Sequence, residues 1–182
     1  MKVEKLELVI EIPENIQVSV KDSILTTKGQ KGEVVKNFVN PQISILVEKN
    51  LIKLMAKNAT KREKKLMNTF RAHIKNMFKG VTEGHIYQLK ICSGHFPMNV
   101  SVQGNEFIVK NFLGERFPRK LTLKENVGVK VEGDIVTVES SSKELAGQTA
   151  ADIEQLTKIK GRDLRIFQDG IWIINKDGKQ IK

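Results

Sequence analysis

The sequence predicts an α+β protein of two tandem duplicated domains, each an antiparallel β-sheet packed against one α-helix. Three observations lead there. Short segments recur in order about 80 residues apart; each copy runs from alternating, strand-like stretches into one helix-like apolar stripe; and the composition suits thin cores. Apolar residues make up 40% of the 182 positions but aromatic ones only 5%. Cores built mainly on Val, Ile and Leu fit two layers, a sheet backed by a helix.

The repeat carries the prediction. Ile16-Gln17-Val18-Ser19-Val20 recurs as Met98-Asn99-Val100-Ser101-Val102, a shift of 82 that also takes Lys28 to Lys110 and Gly32-Glu33 to Gly114-Glu115. Ile43, Ile45, Val47 and Asn50 return as Val127, Val129, Val131 and Asp134 at a shift of 84, and Lys79-Gly80 returns as Lys160-Gly161 at 81. Four matches in order, with small changes of shift, mark a duplication rather than coincident alternation. The boundary is expected at residue 82, giving domains 1–82 and 83–182, with a linker near Val81 to Gly84.

In each copy, Val and Ile alternate with polar residues as half-buried strands do. Asp22-Ser23 and Gly104-Asn105 supply turn chemistry between the first two strands. Ile43–Val47 and Leu51–Met55 form a hairpin across Lys49-Asn50, matched by Val127–Val131 and Ile135–Val138 across Gly133-Asp134. Thr60 and Glu63 make a capping box, and Leu66, Phe70, Ile74, Met77 and Phe78 form the stripe of a helix that Gly80 is expected to end. In the second copy Ser141 and Glu144 are read as the box. Leu145, Ala150, Ile153 and Leu156 form a shallower stripe, ended by Gly161.

Function begins with charge. Thirty-one Lys and Arg against 21 Asp and Glu give a formal net charge of +10, which suits a polyanionic partner. Sixteen basic residues face 8 acidic ones through residue 82, against 15 and 13 afterwards, so charge alone favours the first copy as the anionic-partner face. A lone cysteine, Cys92, excludes an internal disulfide and fits a reducing, cytoplasmic setting. Met1 to Ile12 alternates apolar with charged residues, unlike the apolar run of a signal peptide. No apolar run is long enough for a membrane span.

Catalytic and metal constellations are scarce, and no cofactor is implied. Cys92 and His95 have half the spacing of a zinc site without the other half. A Cys–His nucleophile would need the pair to meet. No phosphate-binding glycine loop is present. Binding features are more concrete. Lys110, Arg116, Arg119 and Lys120 cluster around Gly114, where a backbone could approach a phosphate closely; a solvated hairpin would look the same. Lys158, Lys160, Arg162 and Arg165 gather at the end of the second helix, where cations also complement the helix dipole.

Ser93-Gly94-His95-Phe96-Pro97-Met98-Asn99-Val100, Asn111-Phe112-Leu113-Gly114-Glu115 and Asp169-Gly170-Ile171-Trp172 resemble the ribosomal protein L-six family of the large subunit, in its archaeal and eukaryotic form. Ile12-Pro13 and Thr27-Lys28-Gly29-Gln30-Lys31-Gly32-Glu33 join the resemblance, which spans essentially the whole chain. It implies a non-catalytic structural constituent of the large ribosomal subunit, in the cytoplasm. Such a protein binds large-subunit rRNA chiefly through its C-terminal domain and supports the factor-binding region near the sarcin-ricin loop and stalk base. Neighbouring stalk-base proteins and translation factors are the implied protein partners. By the same resemblance Ser141, Ser142, Lys143 and Gln148 at the start of the second helix meet RNA, as do Lys158, Lys160, Arg162 and Arg165 beyond its end. Ile159 to Ile174 stands where the bacterial form carries a Gly-, Lys- and Tyr-rich tail. An RNA-binding module acting outside the ribosome is the alternative, and a Cys92-dependent enzyme a more remote one.

Overall fold

The computed structural model describes residues 3–181, so Met1 and Lys2 of the alternating N-terminal segment lie outside the described residues. The chain forms two compact units, Met1–Gly84 and His85–Lys182.

In the first unit, β1 (Val3–Glu11), β6 (Leu51–Ala59) and β5 (Ile43–Glu48) form one antiparallel sheet in the order β1-β6-β5. A second sheet has the order β2-β3-β4, from Gln17–Lys21, Ile24–Gly29 and Gly32–Asn37. The expected turns form: Lys21 pairs Ile24 and Glu48 pairs Leu51. Asp22 and Ser23 take φ of 50° and 65°, the left-handed pair that matches the twist of a two-residue hairpin. α1 (Lys61–Thr82) lays Met67, Phe70, Ile74, Met77, Phe78 and Val81 into a core completed by Leu25, Ile52 and Leu54.

Thr60 caps α1 with the expected reciprocal box to Glu63. Gly80, however, does not end the helix. It is buried within it, and the chain continues because Val81 must fill the core. The left-handed residue is Gly84 (φ 84°), and the amides of Glu83 and Gly84 both donate to Lys79 O, at 2.8 and 3.2 Å. The connection to the second unit is thus only Glu83 and Gly84.

The second unit repeats the plan. β8 (Asn99–Gln103), β9 (Glu106–Lys110) and β10 (Arg119–Thr122) make a three-stranded sheet in which Asn99 pairs Lys110, as Gln17 pairs Lys28 in the first unit. β11 (Val127–Glu132) and β12 (Ile135–Ser140) form the expected hairpin, with Val129 opposite Val138 as Ile45 lies opposite Leu54. This hairpin joins β7 (His85–Cys92), β13 (Gly170–Lys176) and β14 (Lys179–Gln180) in a five-stranded sheet, β11-β12-β7-β13-β14. Besides the added strands β13 and β14, the copies differ at one connection within the shared plan. β3 and β4 meet in a tight turn, whereas β9 and β10 are joined by residues 111–118 around a 3-10 turn at Phe112–Gly114.

α2 (Lys143–Leu156) differs from expectation at both ends. Its N-cap is Ser142, whose hydroxyl accepts from Leu145 N. Ser141 is not the cap, because Ser140 still belongs to β12 and its Oγ accepts from Ser142 N, delaying the turn by one residue. The helix also stops before Gly161. Buried Thr157 leaves the spiral to accept from Ile171 N at 2.9 Å, docking the helix end on β13. The stripe shifts accordingly: Ala146, Thr149, Ala150 and Ile153 are buried, while Leu145 and Leu156 are half-buried.

One close approach in the first unit decides its packing. A Cβ at Gly29 would lie 2.6 Å from Val81 O, the same carbonyl that accepts from Lys31 N at 2.9 Å. Gly29→Ala is therefore expected to destabilise the first unit by about 1–3 kcal/mol. Hydrogen exchange of α1 amides should accelerate while that of α2 stays constant, and unchanged protection in α1 would contradict the assignment.

Candidate nucleic-acid interface

Three loops of the second unit meet at one end. They are residues 93–98 between β7 and β8, residues 111–118 between β9 and β10, and residues 157–169 between α2 and β13. Asp169, 2% exposed, binds the first loop to the third. Its Oδ1 accepts from Gly94 N at 2.7 Å and His95 N at 2.9 Å, and its Oδ2 lies 2.6 Å from His95 Nδ1. Burial pushes its carboxyl pKa up, but the His95 amide, the His95 ring and the Gly94 amide together hold it below the ordinary value. The second loop is tied to the first by Asn111, which donates to Pro97 O at 3.0 Å. The left-handed Gly114 lies against the Phe96 ring.

The third loop carries cations on this frame. Asp163 O accepts from Ile166 N and Phe167 N, turning the chain back. The Phe167 ring stacks on His95 with centroids 4.6 Å apart, and the Arg162 guanidinium sits 4.7 Å from the Phe167 centroid. Ring and guanidinium contacts of this kind orient a cation without neutralising it. Lys158, Lys160 and Arg162 are exposed and form no ion pair among the described residues. Arg165 is also exposed but forks onto Asp163, with Nη2 to Oδ2 at 2.7 Å. Ile166, Leu164 and Phe117 add exposed apolar surface around them.

The sequence-predicted residues therefore divide. Lys158, Lys160, Arg162, Arg165, Lys110 and Arg116 belong to this loop end or the strand leading into it. Arg119 belongs there too, but its guanidinium works inside the unit. It donates to Leu156 O at 2.7 Å, to Glu115 Oε2 at 2.8 Å and to Glu115 Oε1 at 2.6 Å, and lies 4.2 Å from the Phe112 centroid. It thus closes the C-terminus of α2, satisfying a helix carbonyl that would otherwise lack a partner. Lys120 pairs with Glu106 at 3.0 Å. Ser141, Ser142 and Lys143 lie at the other end of α2, about 20 Å away along its axis, and Gln148 sits on the helix between, about 12 Å from its C-terminal end. Ser142 is the cap, Gln148 donates to Asp152 at 2.7 Å, and Lys143 lies 3.7 Å from Asp177. Asp177 also faces His85 Nδ1 at 3.1 Å.

The frame that Asp169, His95 and Phe167 build is not evident from the residues alone. Asp169 and His95 lie in the strings that carry the family resemblance, whereas Phe167 only adjoins the basic 158–165 segment. His95 gives its Nδ1 to Asp169, and among the described residues no hydrogen bond joins its ring to the Cys92 thiol. No group of three or more metal-ligating side chains occurs among the described residues, nor is any described helix long and apolar enough to cross a membrane. The arrangement is that of a duplicated α+β protein whose second unit presents exposed cations on ordered loops.

Comparison with known sequences supplies the family. The family model described as Ribosomal protein L6 matches residues 12–84 and 96–170, one segment in each unit. "Large ribosomal subunit protein uL6" of Nanoarchaeum equitans is 46% identical over 189 aligned residues, covering 100% of this chain and 98% of that protein. Its namesake in Methanococcus vannielii is 46% identical over 93% of each chain. That of Methanobrevibacter smithii is 44% identical over 92% of this chain and 94% of its own. The chain belongs to the ribosomal protein L6 family, in its archaeal form, and that family is structural rather than enzymatic.

Asp169→Ala is expected to destabilise the second unit by about 3 kcal/mol, since it leaves donors to a charged acceptor unsatisfied. Because the folded carboxyl is depressed, its contribution is complete above the usual carboxylate range near pH 4 and fades as pH falls through the lower folded value. Urea titrations followed by Trp172, the chain's single tryptophan, should show the gap between wild type and variant narrowing as pH falls below the usual carboxylate range. A gap that stays constant as the carboxyl is protonated would contradict this role.

Proposed function

We propose that this protein is a cytoplasmic component of the large ribosomal subunit that binds large-subunit rRNA through the loop end of its second unit. Its support is the archaeal relatives named as large-subunit proteins, together with the basic loops built on the Asp169 frame. In this reading the protein stiffens the factor-binding side of the subunit, near the sarcin-ricin loop and stalk base. Neighbouring stalk-base proteins and translation factors are its protein partners.

One observation carries the choice of surface. Lys158, Lys160 and Arg162 are exposed on a loop that Asp169, Thr157 and the Phe167–His95 stack hold in place. Cations on a pre-ordered loop contact phosphates without the entropic cost of ordering them. A-form RNA offers its backbone and 2′-hydroxyls rather than a readable major groove, so recognition rests on shape and phosphate. Arg119 and Asp169 act as positioning residues, the former by closing α2 and the latter by joining two loops. Ser141, Ser142, Lys143 and Gln148 belong to the proposed interface if the RNA also runs along α2 toward its N-terminus.

Full-length protein should co-sediment with large subunits in moderate salt; a pool that stays at the top of the gradient would favour a module acting outside the ribosome. Lys160→Gln and Arg162→Gln should each flatten the log–log salt dependence of rRNA binding by roughly 0.7–0.9. Arg119→Gln should lower the melting temperature of the second unit instead. Unchanged slopes in both loop variants would remove residues 158–165 from the interface.

A further inference from the structure

The first unit carries a charged face that the loops of the second unit do not explain. In α1, residues Lys61, Lys64, Lys65, Arg71 and Lys75 are all exposed. At about 100° per residue they fall within roughly one third of the helix circumference, adjoining the stripe of Met67, Phe70, Ile74 and Phe78, with Arg71 and Lys75 on the border beside Phe78. From Lys61 to Lys75 the row runs roughly 21 Å along the axis. Asn68 and Ala72 lie between these cations, so nothing bulky obstructs the row.

The charge on this face is uncompensated. Glu63 is the single carboxylate of α1, and it is buried and bound in the capping box with Thr60. Lys5 and Lys53, on the sheet of the same unit, have carboxylate partners in Glu7 and Glu48. None of the five helix cations forms an ion pair among the described residues, although Glu11 lines the groove beside Arg71 and Lys75. Like charges three and four positions apart repel within a helix. A sequence that keeps them while pairing lysines elsewhere in the unit has a cost that an external polyanion would reverse.

The chemistry of the face distinguishes among polyanions. Protein interfaces are depleted of lysine and depend on buried aromatic or arginine anchors. The exposed face of α1 offers no aromatic side chain, only flexible cations with the small side chains of Asn68 and Ala72 between them. Such a row suits the repeating phosphates of nucleic acid, where affinity comes from released counterions and needs no pocket. We infer that the solvent face of α1 is a second RNA-binding surface, which contacts the phosphate backbone of duplex RNA without reading its sequence. It is separate from the loops proposed above and does not depend on them.

The test uses the full chain and a duplex RNA of arbitrary sequence, about two helical turns long. Replacing Lys61, Lys64, Lys65, Arg71 and Lys75 together by Gln should reduce the log–log salt slope by about 2 or more. Replacing the four lysines by Arg, with Arg71 kept, should leave the slope unchanged. A Gln variant of Lys158, Lys160 and Arg162 supplies the independent arm. If the slope of the α1 variant does not fall, the inference fails, whatever the loop variant does; if it falls, the inference is supported, and the loops are judged on rRNA alone. Far-UV circular dichroism checks that the helix survives. Acetylation of the wild-type chain gives a readout that needs no variant: duplex RNA should protect Lys61, Lys64, Lys65 and Lys75, and equal labelling with and without RNA overturns the inference. So does affinity for polyglutamate that depends on α1 and equals that for RNA, because it would assign the face to an acidic protein.

Discussion

A carboxylate buried at the foot of β13 accepts from two consecutive backbone amides and an imidazole that lie more than 70 residues earlier in the chain, and the loop end of the second unit is shaped around it. Asp169 fixes where residues 93–95 run, and His95 in turn offers its ring face to Phe167, which orients Arg162. The chain then enters β13, whose pairing with β7 begins at Gly170 opposite Cys92. Geometry passes in this way from one buried charge through a ring stack to an exposed cation. The charge is tolerable because every hydrogen bond it accepts favours its ionised form. A neutral side chain of similar shape would keep the fold's outline but loosen the joint between the loops.

The duplication shows how much one scaffold can vary without changing its core. The hairpins β2–β3 and β8–β9 keep the same register, as do β5–β6 and β11–β12. Divergence is confined to connections and to the strands added after α2. The first unit joins β3 to β4 in a tight turn that docks on the end of its helix through Gly29 and Lys31. The second opens that turn into a longer loop and uses Arg119 from its far side to close α2. The end of each helix is therefore held by the same neighbouring hairpin, by backbone contact in one unit and by a guanidinium in the other.

The hairpins and the α1 cap were legible in the sequence because their signals are local: turn residues at fixed positions and a Thr three residues before a Glu. The helix ends were less so, since tertiary packing decides them. Val81 carries α1 past Gly80 to fill the core, and the docking of Thr157 on Ile171 stops α2 before Gly161. The central strand β7 lies outside the matched repeat segments, although its buried Tyr87, Leu89 and Ile91 alternate with Gln88 and Lys90. In the binding surface, counting cations in the 110–120 and 158–165 segments located the loops but not the charges available to a partner. Arg119, Lys120 and Arg165 each have an internal carboxylate. Only distances separate a cation that holds the protein together from one that faces outward.

That distinction bears on how two basic surfaces can serve one protein. The loop cations sit on a frame of hydrogen bonds and stacked rings, so their positions are set before any partner arrives. They suit a site of defined shape, where a misplaced phosphate is penalised. The lysines of α1 stand on a regular helix with flexible stems, so they can follow a backbone whose exact path varies. Because each lysine can contact a phosphate independently, the proposed helix surface would add affinity that depends steeply on salt and little on sequence. A protein with one surface of each kind would be located by its loops and held more firmly by its helix. The greater positive charge of the first unit would then reflect the number of phosphates it neutralises, while the second unit, with fewer uncompensated cations, determines which RNA shape is accepted.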